Sequence, residues 1–352
     1  MNSFWHKKNV LITGHTGFKG SWLSIFLKIL GCKLYGLSIS PEEGIYKLTN
    51  LESIFEKEFF LDLGNSDTSE LTNILNEVKP EIVFHFAAQA IVSVGYNNPI
   101  NTYKSNILGT LNILLAIEGS TATKSVVVAT TDKVYKNNEK SNSENSTLGG
   151  SDSYSLSKVS IENIVSNLNK DINFKTVISI VRSGNVLGGG DRGKDRITTD
   201  IVNSFLNNKT LFIRNLNSIR PWQYVLDSIY GYILVAEETL NVGSSQIYNL
   251  NSKTNNKHTV EFLINQFQKN FNSKINVQIL KGTFKEKNIL LLDSSKARTK
   301  LNWNTETKLE ETISKIVKWE IFHNKLSYPS IDFSIQEVVE FIKFNSLDYS
   351  IE

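Results

Sequence analysis

The feature that most constrains the fold lies near the start of the chain, where a short apolar strand leads into a glycine-rich turn and a helix. Residues 9–13 (NVLIT) are rich in β-branched side chains, which favour a strand, and residues 21–30 have an amphipathic helical pattern. Between them, Gly14, Gly17 and Gly20 follow the spacing G-x-x-G-x-x-G. This order directs the first N–H groups of the helix at a bound phosphate. The segment predicts a dinucleotide site, with a plain turn as the alternative.

Further apolar runs alternate with helical patterns, which is typical of a parallel sheet covered by helices. At 352 residues and 40% hydrophobic content, the chain can form one large core or two smaller ones. We predict an α/β fold, a Rossmann-type doubly wound parallel sheet with a smaller C-terminal α/β substrate-binding domain. The sheet domain is expected to contain residues 1–182 and a returning segment near 226–254, and the substrate domain residues 183–225 and 255–325. Residues 326–352 are unassigned, with a docking tail as one interpretation.

Composition excludes several classes of partner and site. The 38 basic and 35 acidic residues are spread along the chain for a net charge of +3, so nucleic acid is not an expected partner. The single cysteine, Cys32, excludes an internal disulfide, and no Cys/His grouping has metal-ligand spacing. No signal-peptide region precedes the first strand, and no apolar run reaches the about 18 residues of a membrane span. We therefore expect a cytoplasmic protein without a metal or a membrane partner.

A polar cluster follows the apolar run at residues 126–129. In a parallel sheet, residues just beyond the carboxyl end of a strand face the crevice where ligands bind. Thr131, Asp132 and Lys133 supply a hydroxyl, an acid and an amine at this point and are therefore candidates for chemistry. The alternative is that these residues only turn the chain and cap it.

Tyr154 and Lys158 form a second candidate pair in a predicted helix at residues 152–168. Four residues apart, they project from one helical face. A cation near a phenol favours the phenolate and lowers its pKa, so the tyrosine could act as a base near neutral pH. An ordinary surface pair is the alternative, but the preceding glycine turn and Thr-Thr-Asp cluster favour the catalytic interpretation.

The expected cofactor is NAD. A dinucleotide fold often has an acid after its second strand to bind the adenosine ribose, but here the strand ends at Ser38 and the nearest acids are Glu42 and Glu43. No arginine replaces the acid to bind a 2′-phosphate, so NAD is favoured over NADP. Asp62 could reach the adenine edge or be an exposed turn acid. The predicted cofactor-binding residues are Gly14, His15, Gly17, Phe18, Lys19, Gly20, Asp62, Leu63, Phe86, Ala87, Ala88, Gln89, Asn106, Tyr154 and Lys158.

Taken together, these motifs resemble the extended short-chain dehydrogenase/reductase superfamily and, within it, the nucleotide-sugar 4,6-dehydratases, most closely those of CDP-glucose. The resemblance covers roughly residues 9–320. It rests on residues 14–22 (GHTGFKGSW), 79–89 (KPEIVFHFAAQ), 102–110 (TYKSNILGT), 130–135 (TTDKVY), 154–158 (YSLSK), 182–196 (RSGNVLGGGDRGKDR) and 213–225 (IRNLNSIRPWQYV).

The resemblance implies a reaction and a role for each residue of the two clusters. Tyr154 would take the proton of the sugar 4-hydroxyl while hydride passes from C4 to NAD, and Lys158 would hold the nicotinamide ribose. Thr131 would bind the 4-oxygen, and Asp132 would protonate the departing C6 hydroxyl. The hydride would return to C6. Lys133 stands where relatives usually have a glutamate, so it is either the C5 base or a residue that orients Asp132.

The implied reaction converts CDP-glucose to CDP-4-dehydro-6-deoxyglucose and water, for the synthesis of deoxysugars of surface polysaccharide such as the O-antigen of lipopolysaccharide. His15 and Lys19 are expected to add contacts to the cofactor pyrophosphate. The resemblance also implies a homodimer, or a tetramer, formed through helices at residues 98–118 and 152–168.

Substrate contacts are predicted in the glycine-rich segment after residue 181 and in the cations that follow it. Asn185 would bind the sugar diphosphate, although it could instead bond its own backbone. Arginine and lysine side chains suit a diphosphate, but any single one could be an ordinary surface residue. The predicted substrate-binding residues are Gln89, Asn185, Lys194, Arg196, Arg214 and Arg220.

Two alternative functions remain open. Another sugar-nucleotide enzyme, either a dehydratase for a different nucleotide or a 4-epimerase, would share the Tyr154–Lys158 pair. An epimerase needs no acid to expel the C6 hydroxyl, so Asp132 discriminates between the two reactions. The second alternative is a non-catalytic NAD-binding sensor, but sensors of that kind commonly lose the tyrosine or the lysine.

Overall fold

A parallel sheet of seven strands forms the centre of the molecule. The structure is a computed structural model that describes residues 4–136, 141–252, 258–280 and 291–349. The strand order is β10-β6-β5-β4-β1-β2-β3, and every neighbouring pair is parallel. These strands are β1 (Asn9–Thr13), β2 (Lys33–Ser38), β3 (Lys57–Phe60), β4 (Ile82–His85), β5 (Ser125–Thr131), β6 (Val177–Ser183) and β10 (Ile247–Leu250).

Helices cover both faces of this sheet, as predicted for a doubly wound fold. They are α1 (Phe18–Ile29), α2 (Ile45–Leu48), α3 (Thr68–Val78), α4 (Val92–Asn97), α5 (Pro99–Tyr103), α6 (Gly109–Glu118), α7 (Ser153–Leu168) and α9 (Val225–Val242). Strand β1 shows why two layers form. Val10 and Ile12 pack into the core beneath α1 and α9, whereas Leu11 packs into the core beneath α3, α6 and α7. Alternate side chains of a strand point to opposite faces, so a strand that is apolar throughout needs cover on both.

A smaller region follows β6 and has its own apolar core. It contains two short parallel pairs, β7 (Val186–Leu187) with β9 (Gln223–Tyr224) and β8 (Leu211–Ile213) with β11 (Val277–Ile279). The same part of the chain also contains helices α8 (Ile197–Leu206), α10 (Val260–Phe271), α11 (Ser295–Lys300) and α12 (Leu309–Lys325). Buried side chains of α8, α10 and α12 share one core. The predicted substrate domain covers this region, except that residues 255–257 and 281–290 of it lie outside the described residues.

The helix predicted at residues 98–118 is interrupted. Helix α5 ends at Tyr103, one wider turn spans Lys104–Leu108, and α6 then begins at Gly109. Asn106 lies in the wider turn with its side chain fully buried. Such turns often occur at functional sites because they redirect backbone and side-chain polar groups.

The C-terminal segment is not a free docking tail. Helix α13 (Asp332–Phe344) buries Val338, Phe341 and Ile342 in the core shared with α1 and α9. The Tyr224 hydroxyl donates to Glu337 of α13 at 2.5 Å. The described part of the segment therefore belongs to the body of the protein. Among the helices of the described ranges, none has the length and apolar character needed to cross a membrane.

Candidate active site

The glycine turn after β1 is built for close approach of the backbone. Gly14 has a φ of +74°, and a Cβ there would lie 2.6 Å from the Ala87 nitrogen. A Cβ on Gly20 would lie 2.2 Å from the Gly14 carbonyl oxygen. Gly17 precedes α1 and contributes no side chain to its first turn. The N-terminus of α1 therefore lies uncapped by a side chain at the carboxyl edge of the sheet, which fits a pyrophosphate.

Lys19 lies inside the same crevice. Its Nζ donates to the Tyr232 hydroxyl at 3.2 Å and lies 5.7 Å from the centre of the Phe86 ring. Burial, together with the nearby Lys158 and Arg196 cations, lowers the pKa of Lys19 to about 7, and the Asp132 charge opposes the change. A bound anion would offset this loss of hydration, so the position of Lys19 fits the predicted pyrophosphate contact.

The predicted pyrophosphate contact of the His15 side chain is wrong. The His15 ring is fully buried, and its Nε2 lies 2.8 Å from Glu58 Oε1 on β3. The rings of Tyr46, Phe55 and Phe60 surround it, with centroids 4.9 to 5.9 Å away. The Tyr46 hydroxyl donates to the same Glu58 oxygen at 2.7 Å. His15 therefore holds the start of the glycine turn against β3.

Asp62 caps its own loop. One carboxylate oxygen accepts from the Gly64 N–H at 2.9 Å, and the other accepts from the Asn65 amide at 2.6 Å. Leu63 is buried in the core beneath α3 and α6. These contacts match the turn-acid alternative, and contact of Asp62 or Leu63 with the adenine stays a prediction.

Residues 86–89 after β4 are held by a chain of buried hydrogen bonds. The Ala87 N–H donates to the Thr13 hydroxyl at 3.3 Å, and the two nitrogens of His85 lie 2.8 Å from the hydroxyls of Thr13 and Thr110. The Thr110 hydroxyl donates to the Asn106 carbonyl at 2.6 Å. Burial lowers the pKa of His85 to about 3, so the ring is neutral and suited to one donated and one accepted bond. The sequence analysis did not select His85.

Asn106 forms its side-chain hydrogen bonds within the protein, as a buried polar group requires. Its oxygen accepts from the Gln89 N–H at 2.7 Å, and its nitrogen donates to the Gln89 carbonyl at 3.0 Å and to the Ser157 hydroxyl at 2.9 Å. The Gln89 amide in turn donates to Thr102 at 2.9 Å. Asn106 and Gln89 therefore fix the backbone beside Ala88, while the proposed ligand contacts of Gln89 and Ala88 stay predictions.

The polar cluster leaves the carboxyl end of β5 as predicted. The strand continues through Thr131, and one turn, Asp132–Val134, follows. The Thr131 hydroxyl donates to Asp132 Oδ1 at 3.0 Å and accepts from the Lys133 N–H at 3.3 Å. Asp132 is 4% exposed and Thr131 is 6% exposed. A hydroxyl and a carboxyl thus meet in a site with little water.

Helix α7 brings Tyr154 to this turn. Lys133 Nζ lies 5.8 Å from the centre of the Tyr154 ring, and Thr131 and Asp132 lie near enough to the phenol to change its pKa. Burial raises the pKa of Tyr154 to about 12, while Thr131 and the charge of Arg196 oppose this rise. The structure therefore joins Thr131, Asp132, Lys133 and Tyr154 in one site.

Lys158 has a different partner from the one predicted. Its Nζ donates to the Ala129 carbonyl of β5 at 3.0 Å. Burial lowers the pKa of Lys158 to about 8, and Glu162 opposes this change. Burial of the phenol dominates the pKa of Tyr154 and Thr131 opposes it most, so the lowering of this pKa by Lys158 stays a prediction.

Two buried acids organise the cations of the segment after β7. Asp191 accepts from Arg196 Nη1 with both oxygens, at 2.8 and 2.9 Å. Glu320 on α12 pairs with Arg192 at 2.6 and 2.9 Å. Of these residues, only Arg196 was predicted from the sequence. The order of acid and arginine from residue 191 to 196 could have indicated Asp191 and Arg192, whereas Glu320 is 128 residues away from Arg192.

Of the four predicted substrate cations, Arg196 is the one whose charge acts on Tyr154. Arg220 is half-buried and donates to the Ile219 carbonyl at 3.0 Å. Lys194 and Arg214 have exposed side chains, and Asn185 is half-buried. Their convergence on one diphosphate stays a prediction. Within the described residues, no group of three or more His, Cys, Asp or Glu side chains could hold a metal ion.

Comparison with known proteins gives a family. Residues 11–316 match the family model described as GDP-mannose 4,6 dehydratase. The CDP-glucose 4,6-dehydratase of Salmonella typhimurium is 38% identical over 333 residues, which cover 90% of this chain and 91% of that protein. A GDP-mannose 4,6-dehydratase of Vibrio cholerae is 28% identical over 241 residues, or 63% of each chain.

Solved structures confirm the predicted fold class. A UDP-glucose-4-epimerase from Stenotrophomonas maltophila, with bound NAD and formylated UDP-arabinopyranose, has a TM-score of 0.80 at 19% identity and covers 90% of this chain and 99% of its own. MoeE5, in complex with UDP-glucose and NAD, also has a TM-score of 0.80 at 19% identity, covering 90% of this chain and all of its own. The sequence-based resemblance is confirmed. The chain belongs to the GDP-mannose 4,6-dehydratase family, a family of nucleotide-sugar 4,6-dehydratases.

Proposed function

We propose that this hydro-lyase converts CDP-glucose to CDP-4-dehydro-6-deoxyglucose and water. The observation that carries the proposal is the meeting of Asp132 with Thr131 and Tyr154 in one buried site, because dehydration needs an acid beside the group that takes the 4-hydroxyl proton. The 38% identity to a CDP-glucose 4,6-dehydratase supports CDP-glucose as the substrate. We place the product in the synthesis of deoxysugars for surface polysaccharide.

The comparisons support NAD as the cofactor, since related folds hold it. When bound, NAD accepts a hydride and returns it within one catalytic cycle. The uncapped N-terminus of α1, the tight turn at Gly14 and the buried Lys19 amine fit its pyrophosphate. Lys158, with its Nζ on the Ala129 carbonyl, would hold the nicotinamide ribose.

The residues of the site divide the proton transfers between them. Tyr154 accepts the proton of the sugar 4-hydroxyl, and Thr131 holds the 4-oxygen beside it. The Tyr154 pKa of about 12 must fall for this step. Approach of cationic groups to the phenol on ligand binding would lower this pKa. Asp132 donates a proton to the departing C6 hydroxyl. Lys133 Nζ lies over the Tyr154 ring, which supports a role for the amine at C5, either as the base or as a residue that orients Asp132.

A 4-epimerase is the second candidate because the similar solved structures include epimerases. Asp132 favours the dehydratase, since an epimerase has no leaving group to protonate. A non-catalytic sensor is disfavoured because Tyr154 and Lys158 are both present and buried.

One assay separates these functions. The protein is incubated with NAD and, in turn, CDP-, dTDP-, GDP- and UDP-glucose or mannose, and the alkaline chromophore of a 4-keto-6-deoxysugar is recorded. We expect product with CDP-glucose at the highest kcat/KM. Conversion of a UDP-sugar to its C4 epimer without chromophore would establish the epimerase. If no sugar were turned over, the non-catalytic sensor would be the remaining candidate.

We also propose that the protein is a homodimer formed through residues 98–118 and α7. Large apolar side chains are exposed on these elements: Ile100 (71% exposed), Leu108 (45%), Leu115 (43%) and Leu156 (42%). Helices α5 and α7 pack against each other, so their outer surfaces adjoin. Apolar residues grouped in this way are typical of an interface between subunits.

A further inference from the structure

A buried ion pair lies directly beneath the catalytic residues. Glu162 on α7 and Arg182 on β6 have side chains that are each 2% exposed. Arg182 Nε lies 3.0 Å from both Glu162 oxygens, and Nη2 lies 2.5 Å from Oε2. Such a pair is costly to bury, so its retention in a core requires either many hydrogen bonds or a role in orientation.

Each member of the pair holds one flank of the catalytic turn. The Thr130 hydroxyl, one residue before Thr131, donates to Glu162 Oε1 at 2.7 Å. The Tyr135 hydroxyl, two residues after Lys133, accepts from Arg182 Nη1 at 2.7 Å. The segment that contains Thr131, Asp132 and Lys133 is thus anchored at both ends to a single ion pair.

The same pair holds the catalytic helix. Tyr154, Lys158 and Glu162 are spaced four residues apart on α7, so they form one stripe along its buried face. The link continues to the edge of the sheet, because the Tyr135 hydroxyl donates to Asn249 Oδ1 at 2.7 Å. Asn249 lies on β10, at the edge of the seven-stranded sheet.

We propose that Glu162 and Arg182 are positioning residues that lock the catalytic turn to helix α7 and thereby set the distance of Thr131 and Asp132 from Tyr154. The inference rests on the proposed dehydratase function for its catalytic readout. It assigns the pair no contact with substrate or cofactor.

The charge of Glu162 has a second effect that a purely mechanical support would lack. Burial lowers the pKa of Lys158 to about 8, and Glu162 opposes the change. Loss of the Glu162 charge would therefore lower the pKa of Lys158 further. The charged or titratable side chains on the elements around Lys158 are Tyr154 and Glu162 on α7, Lys19 on α1, His85 on β4, Asp132 and Lys133 after β5, and Arg182 on β6. His85 stays neutral over the pH range of the test, and Lys19 is present in every variant. A difference between variants in the alkaline limb of the kcat profile therefore reports on Lys158.

The test uses the holoenzyme and the pH profile of kcat. Glu162→Gln alone would leave Arg182 buried without its partner, so the main variant is Glu162→Gln combined with Arg182→Met, which removes both charges. We expect kcat to fall at least about tenfold with KM changed less than about threefold, and the alkaline limb to move to lower pH. Glu162→Asp keeps the charge, so the alkaline limb of its kcat profile should lie at the wild-type pH.

The matched control is Glu81→Gln with Lys8→Met, a charge pair at 2.9 Å located at the amino end of the sheet. It should leave the kcat profile unchanged. A double variant at Glu162 and Arg182 with wild-type kcat and an unmoved alkaline limb would overturn the proposal.

If the double variant does not fold, Tyr135→Phe carries the test, since it removes one anchor without changing a charge. We expect a several-fold lower kcat, an unmoved alkaline limb, and faster amide hydrogen exchange at residues 131–135. Unchanged exchange and kcat would overturn the proposal. Wild-type protein that turns over no nucleotide sugar would refute the proposed function instead, and the exchange measurement would then decide the positioning role on its own.

Discussion

Lys133 Nζ lies 5.8 Å from the centre of the Tyr154 ring. The amine is thus beside the phenol proposed to take the 4-hydroxyl proton, and its backbone N–H is bonded to the Thr131 hydroxyl. We propose Lys133 as the C5 base, with orientation of Asp132 as the alternative role, and variants of Lys133 separate the two.

Lys133→Met is expected to slow C5 proton exchange about 100-fold, because the variant has no group to take the proton. The measurement is deuterium incorporation at C5 during turnover in deuterium oxide, followed by mass spectrometry. Wild-type exchange rates in this variant would remove Lys133 from the base role.

Lys133→Arg is the matched variant, since arginine keeps the positive charge but does not give up its proton. A base role predicts slow exchange with both Met and Arg. Recovery of exchange with Arg would show that the charge, and not proton transfer, is what the site requires.

Asp132→Asn is expected to lower dehydration roughly 100- to 10,000-fold, because the amide cannot protonate the departing C6 hydroxyl. Asparagine is nearly isosteric and can still accept from the Thr131 hydroxyl, so the turn should be preserved. C4 oxidation and C5 exchange should continue. We therefore expect recovered substrate to contain deuterium at C5 while the alkaline chromophore is lost.

Asp67→Asn is the control for this change. Asp67 caps α3 by accepting from the Ser69 N–H at 3.0 Å, and asparagine caps equally well. Its turnover should equal that of the wild type. Full chromophore production by Asp132→Asn would contradict the acid assignment.

Much of the site could be predicted because its residues follow local patterns. The glycine spacing, the apolar run before Thr131 and the four-residue interval from Tyr154 to Lys158 each specify a short element and a face. The carboxyl ends of parallel strands meet at one edge of the sheet, so these local predictions converge in space.

The contacts that could not be predicted join residues far apart in the chain. His15 meets Glu58, 43 residues away, and Arg192 meets Glu320, 128 residues away. Side-chain direction in a turn depends on which cavity the packed core leaves open, and sequence spacing does not encode this. For the same reason, the pKa of Tyr154 could not be inferred from a neighbouring lysine without knowing how deeply the phenol is buried.

A charged side chain introduced among the exposed apolar residues of α5–α7 is expected to weaken the proposed dimer. Leu108→Glu and Leu156→Glu should each shift the protein toward the monomer, because burying an unpaired carboxylate opposes association. Light scattering or sedimentation measures the mass. Phe344→Glu is the control, since this side chain is 82% exposed on α13 and should leave the mass unchanged. A dimer that resists both leucine changes would place the interface elsewhere.

Glu337 predicts a dependence of stability on pH. Its carboxyl is buried on α13, and within the described residues Oε2 has no hydrogen-bond partner. Burial raises the pKa of Glu337 from 4.5 to about 7, against the opposing bond from Tyr224. The folded state therefore binds this proton more tightly than the unfolded state does. Stability is highest below pH 4.5 for this group and falls as pH rises from 4.5 to about 7.

Glu337→Gln should remove this dependence, because the amide does not titrate and can still accept from Tyr224. Above pH 7 the variant should be more stable than the wild type by up to about 3 kcal/mol, the linkage ceiling for a shift of this size. Urea denaturation at pH 5 and pH 8 measures it, and the difference between variants cancels other titrating groups such as Asp227. Glu310→Gln makes the same change at an exposed position of α12 and should behave as the wild type. If Glu337→Gln lost as much stability between the two pH values as the wild type, a group other than Glu337 would be responsible for the pH dependence.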